Sequence, residues 1–150
     1  MRVVCLISGF ILLLVLQTKI TIFGIAPDLT AAVAYYLGIN NGSNRGALLG
    51  SIIGIIEDSI GGGMLGPNLL GKGMVGFFSS FVSGRPFRWT PLLGMVSIFI
   101  LTIADSFVVY LSRVVFETTP APLSAAIPAL LIQGLINSTI GAFLRPKNAD

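Results

Sequence analysis

The 150-residue chain is 54% hydrophobic and only 10% charged, with nine Lys and Arg set against six Asp and Glu and no His. A soluble domain carries about 25% charged residues, so too few solvating groups remain here to cover a globule. The lone Cys5 and the absence of His exclude zinc, haem and Cys-His nucleophile chemistry, and the scattered cations exclude a nucleic-acid patch.

Residues 3–16 follow Arg2 as an apolar run that imitates a secretory signal, but no small-x-small cleavage site follows, so a first span is expected there. Pro27 and Asp28 punctuate the start of the second segment, residues 26–39, and the Asn40-to-Asn44 turn precedes the third, residues 46–56. Gly61-Gly62-Gly63 leads into the fourth, residues 65–82, with Pro67 suited to its first turn. Pro91 suits the first turn of the fifth, residues 92–112, and residues 123–144 make the sixth. The last two are long enough for about 30 Å of hydrocarbon, whereas the first three are short enough to be re-entrant or shielded by neighbours. The pattern predicts an all-α, polytopic membrane bundle of about six short helices, one domain over residues 1–150, with tight turns that make successive helices antiparallel neighbours.

Cations sort with these turns. With an inside N-terminus, one side collects Arg2, Arg45, Arg85, Arg88, Arg145 and Lys147; the other holds Lys19 and Arg113 together with Asp28, Glu57, Asp58 and Glu117. That bias predicts both termini in the cytoplasm.

The third segment places Gly46, Gly50 and Gly54 at steps of four, continuing onto Asp58. Small residues at this spacing let another helix approach to backbone contact. The groove serves either packing within the chain, the preferred reading, or association of two copies. In the fourth segment Lys72, Gly76, Ser80 and Gly84 repeat the step of four. A Lys inside a span costs about 2.5 to 3.5 kcal/mol unless it snorkels or finds a partner, and Asp58 or Glu57 is nearest in sequence. Asp58 and Lys72 are therefore expected to pair near the turn, as a structural ion pair or as a functional one. Asp105, mid-way along the fifth segment, should face the interior, where the stripe Gln133, Asn137 and Gly141 of the sixth offers it hydrogen bonds.

Catalytic, cofactor and metal candidates are absent from this reading. Asp58 and Asp105 lack the Gly-x-Gly-Asp context of intramembrane aspartyl proteases, and the triple glycine lacks the Gly-Lys-Ser/Thr continuation of a phosphate loop. The chain is expected not to be an enzyme.

The stretch Arg45-Gly46, Gly50, Gly54, Glu57-Asp58, Gly61-Gly62-Gly63-Met64-Leu65-Gly66, Leu69 to Lys72 and Gly76, with Pro27-Asp28-Leu29 before it, resembles the rod shape-determining protein MreD family. The turn reads Ile60-Gly61 where the family commonly has Ser-Gly, and the likeness runs from about Pro27 to Gly84. The resemblance implies a non-catalytic scaffold in the bacterial inner membrane, in contact with membrane lipid and associated with a bitopic MreC-like protein. Through that protein it would reach MreB, RodA and a class B penicillin-binding protein in lateral peptidoglycan synthesis. MreD proteins are similar in fold to the substrate-binding components of energy-coupling factor transporters. A substrate-capturing subunit of that S-component type is the alternative expectation, and it requires a polar and aromatic pocket near the outer surface.

Overall fold

The computed structural model of the protein describes residues 12–17, 19–21, 24–61, 65–83, 88–116 and 122–147. Gly84 and most of the first apolar segment lie outside them. The described residues form six helices: α1 (residues 12–17), α2 (Leu29–Asn41), α3 (Ser43–Gly61), α4 (Pro67–Val82), α5 (Pro91–Phe116) and α6 (Leu123–Gly141).

Asp28 begins α2 by accepting the Ala31 N–H at 2.9 Å on its side chain. This is the N-cap role for which a short acidic side chain is suited. Gly42 alone links α2 to α3, at φ 83°, a left-handed conformation that a side chain disfavours. Helix α3 has 19 residues rather than the eleven of its apolar run, because Ser43 to Arg45 and Glu57 to Gly61 continue the helix at both ends. Pro67 and Pro91 open α4 and α5, where a missing N–H costs nothing. Helices α5 and α6 are each long and apolar enough to cross a membrane.

Helix α4 packs against α2, α3 and α5 and is the central element. A Cβ on Gly46, Gly50 or Gly54 would run into the carbonyl of Gly76, Lys72 or Asn68 respectively. Each four-residue step along α3 thus meets a four-residue step back along α4, which fixes the hairpin as antiparallel with backbones in contact. The third-segment stripe is packed within the chain. Gly38 of α2 closes on the same point of α4, against Ser79 and the Gly76 carbonyl that Gly46 also meets, and Gly94 and Gly141 make a similar close crossing between α5 and α6.

The α4 stripe differs from expectation. Its buried face is Lys72, Gly73, Val75, Gly76 and Ser79, whereas Ser80 is half-buried and donates to the Phe77 carbonyl of its own helix at 2.8 Å. A helix with 3.6 residues per turn drifts off a strict four-residue step, so Ser79 takes the contact position one turn beyond Gly76.

Buried apolar contacts centre on Tyr35, Ile39, Ile53, Val75 and Ile98, with the Tyr35 and Ser97 hydroxyls 2.9 Å apart. Among the described residues nine buried positions are hydrophobic and nine are polar or charged. Outside, Leu48, Ile60, Leu92, Val115 and Phe143 are 65% to 85% exposed. In a soluble domain polar groups are mostly on the surface and buried ones are few, the reverse of this balance.

Candidate functional site: a charge cluster beside a cavity

The buried cation is Lys72, whose side chain is 1% exposed. It leaves α4 between Gly71 and Gly73, and its Nζ donates to Asp28 Oδ2 at 2.7 Å and Asp105 Oδ2 at 2.8 Å. Glu57 Oε2 lies 3.4 Å from the same nitrogen and Asn68 Oδ1 3.3 Å from it. Three carboxylates from the start of α2, the end of α3 and the middle of α5 therefore share one ammonium. Gly71 makes this geometry available, because a Cβ there would collide with Asp105 Oδ1.

A second layer orients the acids. Thr30 Oγ1 lies 2.7 Å from both Asp28 Oδ1 and Glu57 Oε2. Gln17 Nε2 donates to Glu57 Oε1 at 2.9 Å, tying α1 to the cluster. Asn137 Nδ2 donates to the Asp28 carbonyl at 2.8 Å and to Thr102 Oγ1 at 3.2 Å. Every helix contributes, so the cluster is the polar counterpart of a hydrophobic core.

Asp58 does not pair with Lys72. It caps α4 instead, accepting the Gly66, Asn68 and Leu69 N–H groups at 2.8, 3.2 and 3.2 Å and Asn68 Nδ2 at 2.9 Å. Adjacent positions on a helix point about 100° apart, so when Glu57 faces Lys72 its neighbour must face the start of α4. Asp58→Ala should cost about 0.5 to 2 kcal/mol, the usual worth of a cap, read as a lower unfolding temperature in detergent. A loss as large as that of a Lys72 variant would contradict the capping role.

Asp105 is buried as expected, at 1% exposure. Its partner is Lys72 rather than the α6 stripe. Ser106 Oγ donates to Gln133 Oε1 at 3.0 Å, Gln133 Nε2 donates to the Ala26 carbonyl at 3.4 Å, and Asn137 serves Asp28 and Thr102. Sequence reasoning missed Asp28, Thr30, Gln17 and Gly71. The available signal was Asp28-Leu29-Thr30 directly ahead of an apolar helix, a cap followed by a hydroxyl on the same turn.

Beside the cluster lies a cavity of about 370 Å³. Its lining includes Gln17, Asp28, Glu57, Asp105, Tyr110 and Gln133. Such a volume falls in the range of small-molecule sites. Among the described residues no His, Cys, Asp or Glu group is arranged to hold a metal ion.

Comparison with protein-family models, with curated proteins and with solved structures finds no match to this chain.

Proposed function

We propose that the chain is a multi-pass protein of the bacterial inner membrane, with six spans and both termini cytoplasmic, that acts as an MreD-like scaffold of the cell-wall elongation machinery. The observation that carries this reading is the α3/α4 hairpin. The stretch with the MreD-like residues folds into one glycine-faced unit, and the other helices close around it through Lys72. A bundle held by buried polar groups, with large apolar side chains outside, suits lipid, where small-residue contacts and hydrogen bonds take over from the hydrophobic drive. Arg45, Arg88, Arg145 and Lys147 fall at one end, where Asn40 at the close of α2 accepts the Lys147 N–H at 2.8 Å. That placement supports a cytoplasmic assignment for this end.

The partner in this reading is an MreC-like bitopic protein. In a rod-shaped bacterium whose own MreD has been removed, expression of this chain should restore rod shape and pull down MreC. Round cells despite normal membrane accumulation would contradict the scaffold reading.

A second reading has one observation in its favour. The cavity beside Asp28, Glu57 and Asp105 supplies the polar pocket that a substrate-capturing transporter subunit requires. Co-purification with a coupling membrane subunit and its ATPases, rather than with MreC, would favour it.

A further inference from the structure

The acids of the bundle are unequally served by donors. Asp58 collects four on its two oxygens, and Asp28 accepts the Ala31 N–H, the Thr30 hydroxyl and the Lys72 ammonium. Glu57 accepts from Gln17, lies 2.7 Å from the Thr30 hydroxyl and is 18% exposed. Asp105 is fully enclosed, at 0% side-chain exposure, and its one donor is the Lys72 ammonium on Oδ2. Its Oδ1 has no donor and packs against Gly71. An ionised carboxylate offers about four acceptor sites and is costly to bury with most of them empty.

The placement of the acids adds a second constraint. The Asp28 and Asp105 carboxyl groups are in hydrogen-bond contact with each other, and their Oδ2 atoms converge on one nitrogen at 2.7 and 2.8 Å. Two ionised carboxylates at such range repel, and the contact is attractive only when a proton lies between them. Facing Asp105 are Asp28 from the start of α2, Glu57 from α3 and Lys72 from α4. Helix α6 brings the neutral Gln133 to the adjoining cavity, where Tyr110 and Arg113 lie further along α5 itself. One ammonium between Asp28 and Asp105 is matched by one negative charge, so a proton on the other acid leaves the enclosed trio neutral. Asp28, with three donors, is suited to hold the charge, and Asp105, with one, to hold the proton. Asp105 Oδ1 is then the carbonyl oxygen of a neutral acid, where a missing donor costs less than on an anion.

We propose that at neutral pH Asp105 is a neutral carboxylic acid that shares its proton with Asp28, which makes the cluster a buried proton-binding site tying α5 to the start of α2. The Tyr35 and Ser97 hydroxyls make a further polar link between these helices. Loss of the proton leaves two carboxylates facing each other across Lys72 and loosens α5. The inference goes beyond the scaffold reading and does not depend on which proteins the chain joins.

The test is infrared spectroscopy and equilibrium unfolding of the purified full chain in detergent. At neutral pH the wild-type chain should show the carbonyl stretch of a neutral carboxylic acid, shifted in heavy water, and Asp105→Asn should lack it. Asp105→Asn should fold, because its amide supplies a fixed N–H donor to Asp28 and an oxygen to Lys72. Asp105→Leu, similar in shape but without a donor, should be clearly less stable than Asp105→Asn or fail to fold. The folded chain holds a proton that the unfolded chain gives up above about pH 4, so this group's contribution to stability falls as pH rises. Between about pH 5 and about pH 7 the unfolding constant of the wild type should therefore rise about tenfold per pH unit relative to that of Asp105→Asn. The absence of a neutral-acid band in the wild type, or a band that survives Asp105→Asn, would overturn the proposal. So would a wild-type pH dependence that matches that of Asp105→Asn, a failure of Asp105→Asn to fold, or equal stability of Asp105→Leu and Asp105→Asn.

Discussion

Lys72→Met should remove most of the folded protein. The substitution keeps the length of the side chain but leaves Asp28, Glu57 and Asp105 facing one another with no cation between them. Breaking a buried pair by deleting one partner costs about 3 to 5 kcal/mol, because the charge left behind has lost its solvation and its counter-ion. Here three acids are stranded rather than one, so the loss should lie at the upper end of that range. Replacing acids together with the lysine should be milder. Lys72→Met combined with Asp105→Asn should recover stability relative to Lys72→Met alone, with a coupling in the range of about 0.5 to 3 kcal/mol for groups in one network. A double-mutant cycle on unfolding in detergent reads this directly, and strict additivity would mean that Lys72 and Asp105 do not act as a pair.

Gly50→Leu and Gly54→Leu should be nearly as damaging, by a different route. At both positions a Cβ would overlap the backbone of α4, at Lys72 and at Asn68, and backbone cannot rotate away as a side chain does. Relief requires the hairpin to open, which drags Lys72 from its acids and Asp58 from its cap. Folded yield should fall sharply for both variants. Gly61→Leu provides the control, since a Cβ there meets nothing within 4 Å. Equal yields from Gly50→Leu and Gly61→Leu would place the α3 stripe away from the helix contact.

The glycine groove and the helix order were legible because both are local patterns. Gly46, Gly50 and Gly54 repeat within one helix, and turn residues mark where each helix stops. The length of α3 was less legible, because apolar content identifies what lipid or core can cover and not where backbone hydrogen bonding ends. Glu57 and Asp58 are polar, yet they lie within the helix. The α4 stripe was read one residue off at Ser80, since a four-residue step follows the helix face for only about two turns.

The charge cluster was not legible in its pairing. Its carboxylates come from positions 28, 57 and 105, and proximity along the chain favours Asp58, which has a closer task at the start of α4. Asp28 reads locally as a turn residue after Pro27, and only the return of α4 beside α2 makes it a counter-ion. The cavity is likewise a product of tertiary placement, formed where α1, α5 and α6 part around the acids.

The most direct measurement of the proposed membrane arrangement is the side from which each turn is accessible. In a Cys5→Ser background, single cysteines at Asn44, Gly61, Arg88 and Pro122, all exposed, can be challenged with a membrane-impermeant thiol reagent in intact cells and in opened vesicles. Six alternating spans predict that Gly61→Cys and Pro122→Cys label from outside, while Asn44→Cys and Arg88→Cys label only once the cytoplasmic face is opened. Labelling of Asn44→Cys and Gly61→Cys from the same side would mean that α3 does not cross the membrane, and the bundle built around Lys72 would then not be a membrane-spanning one.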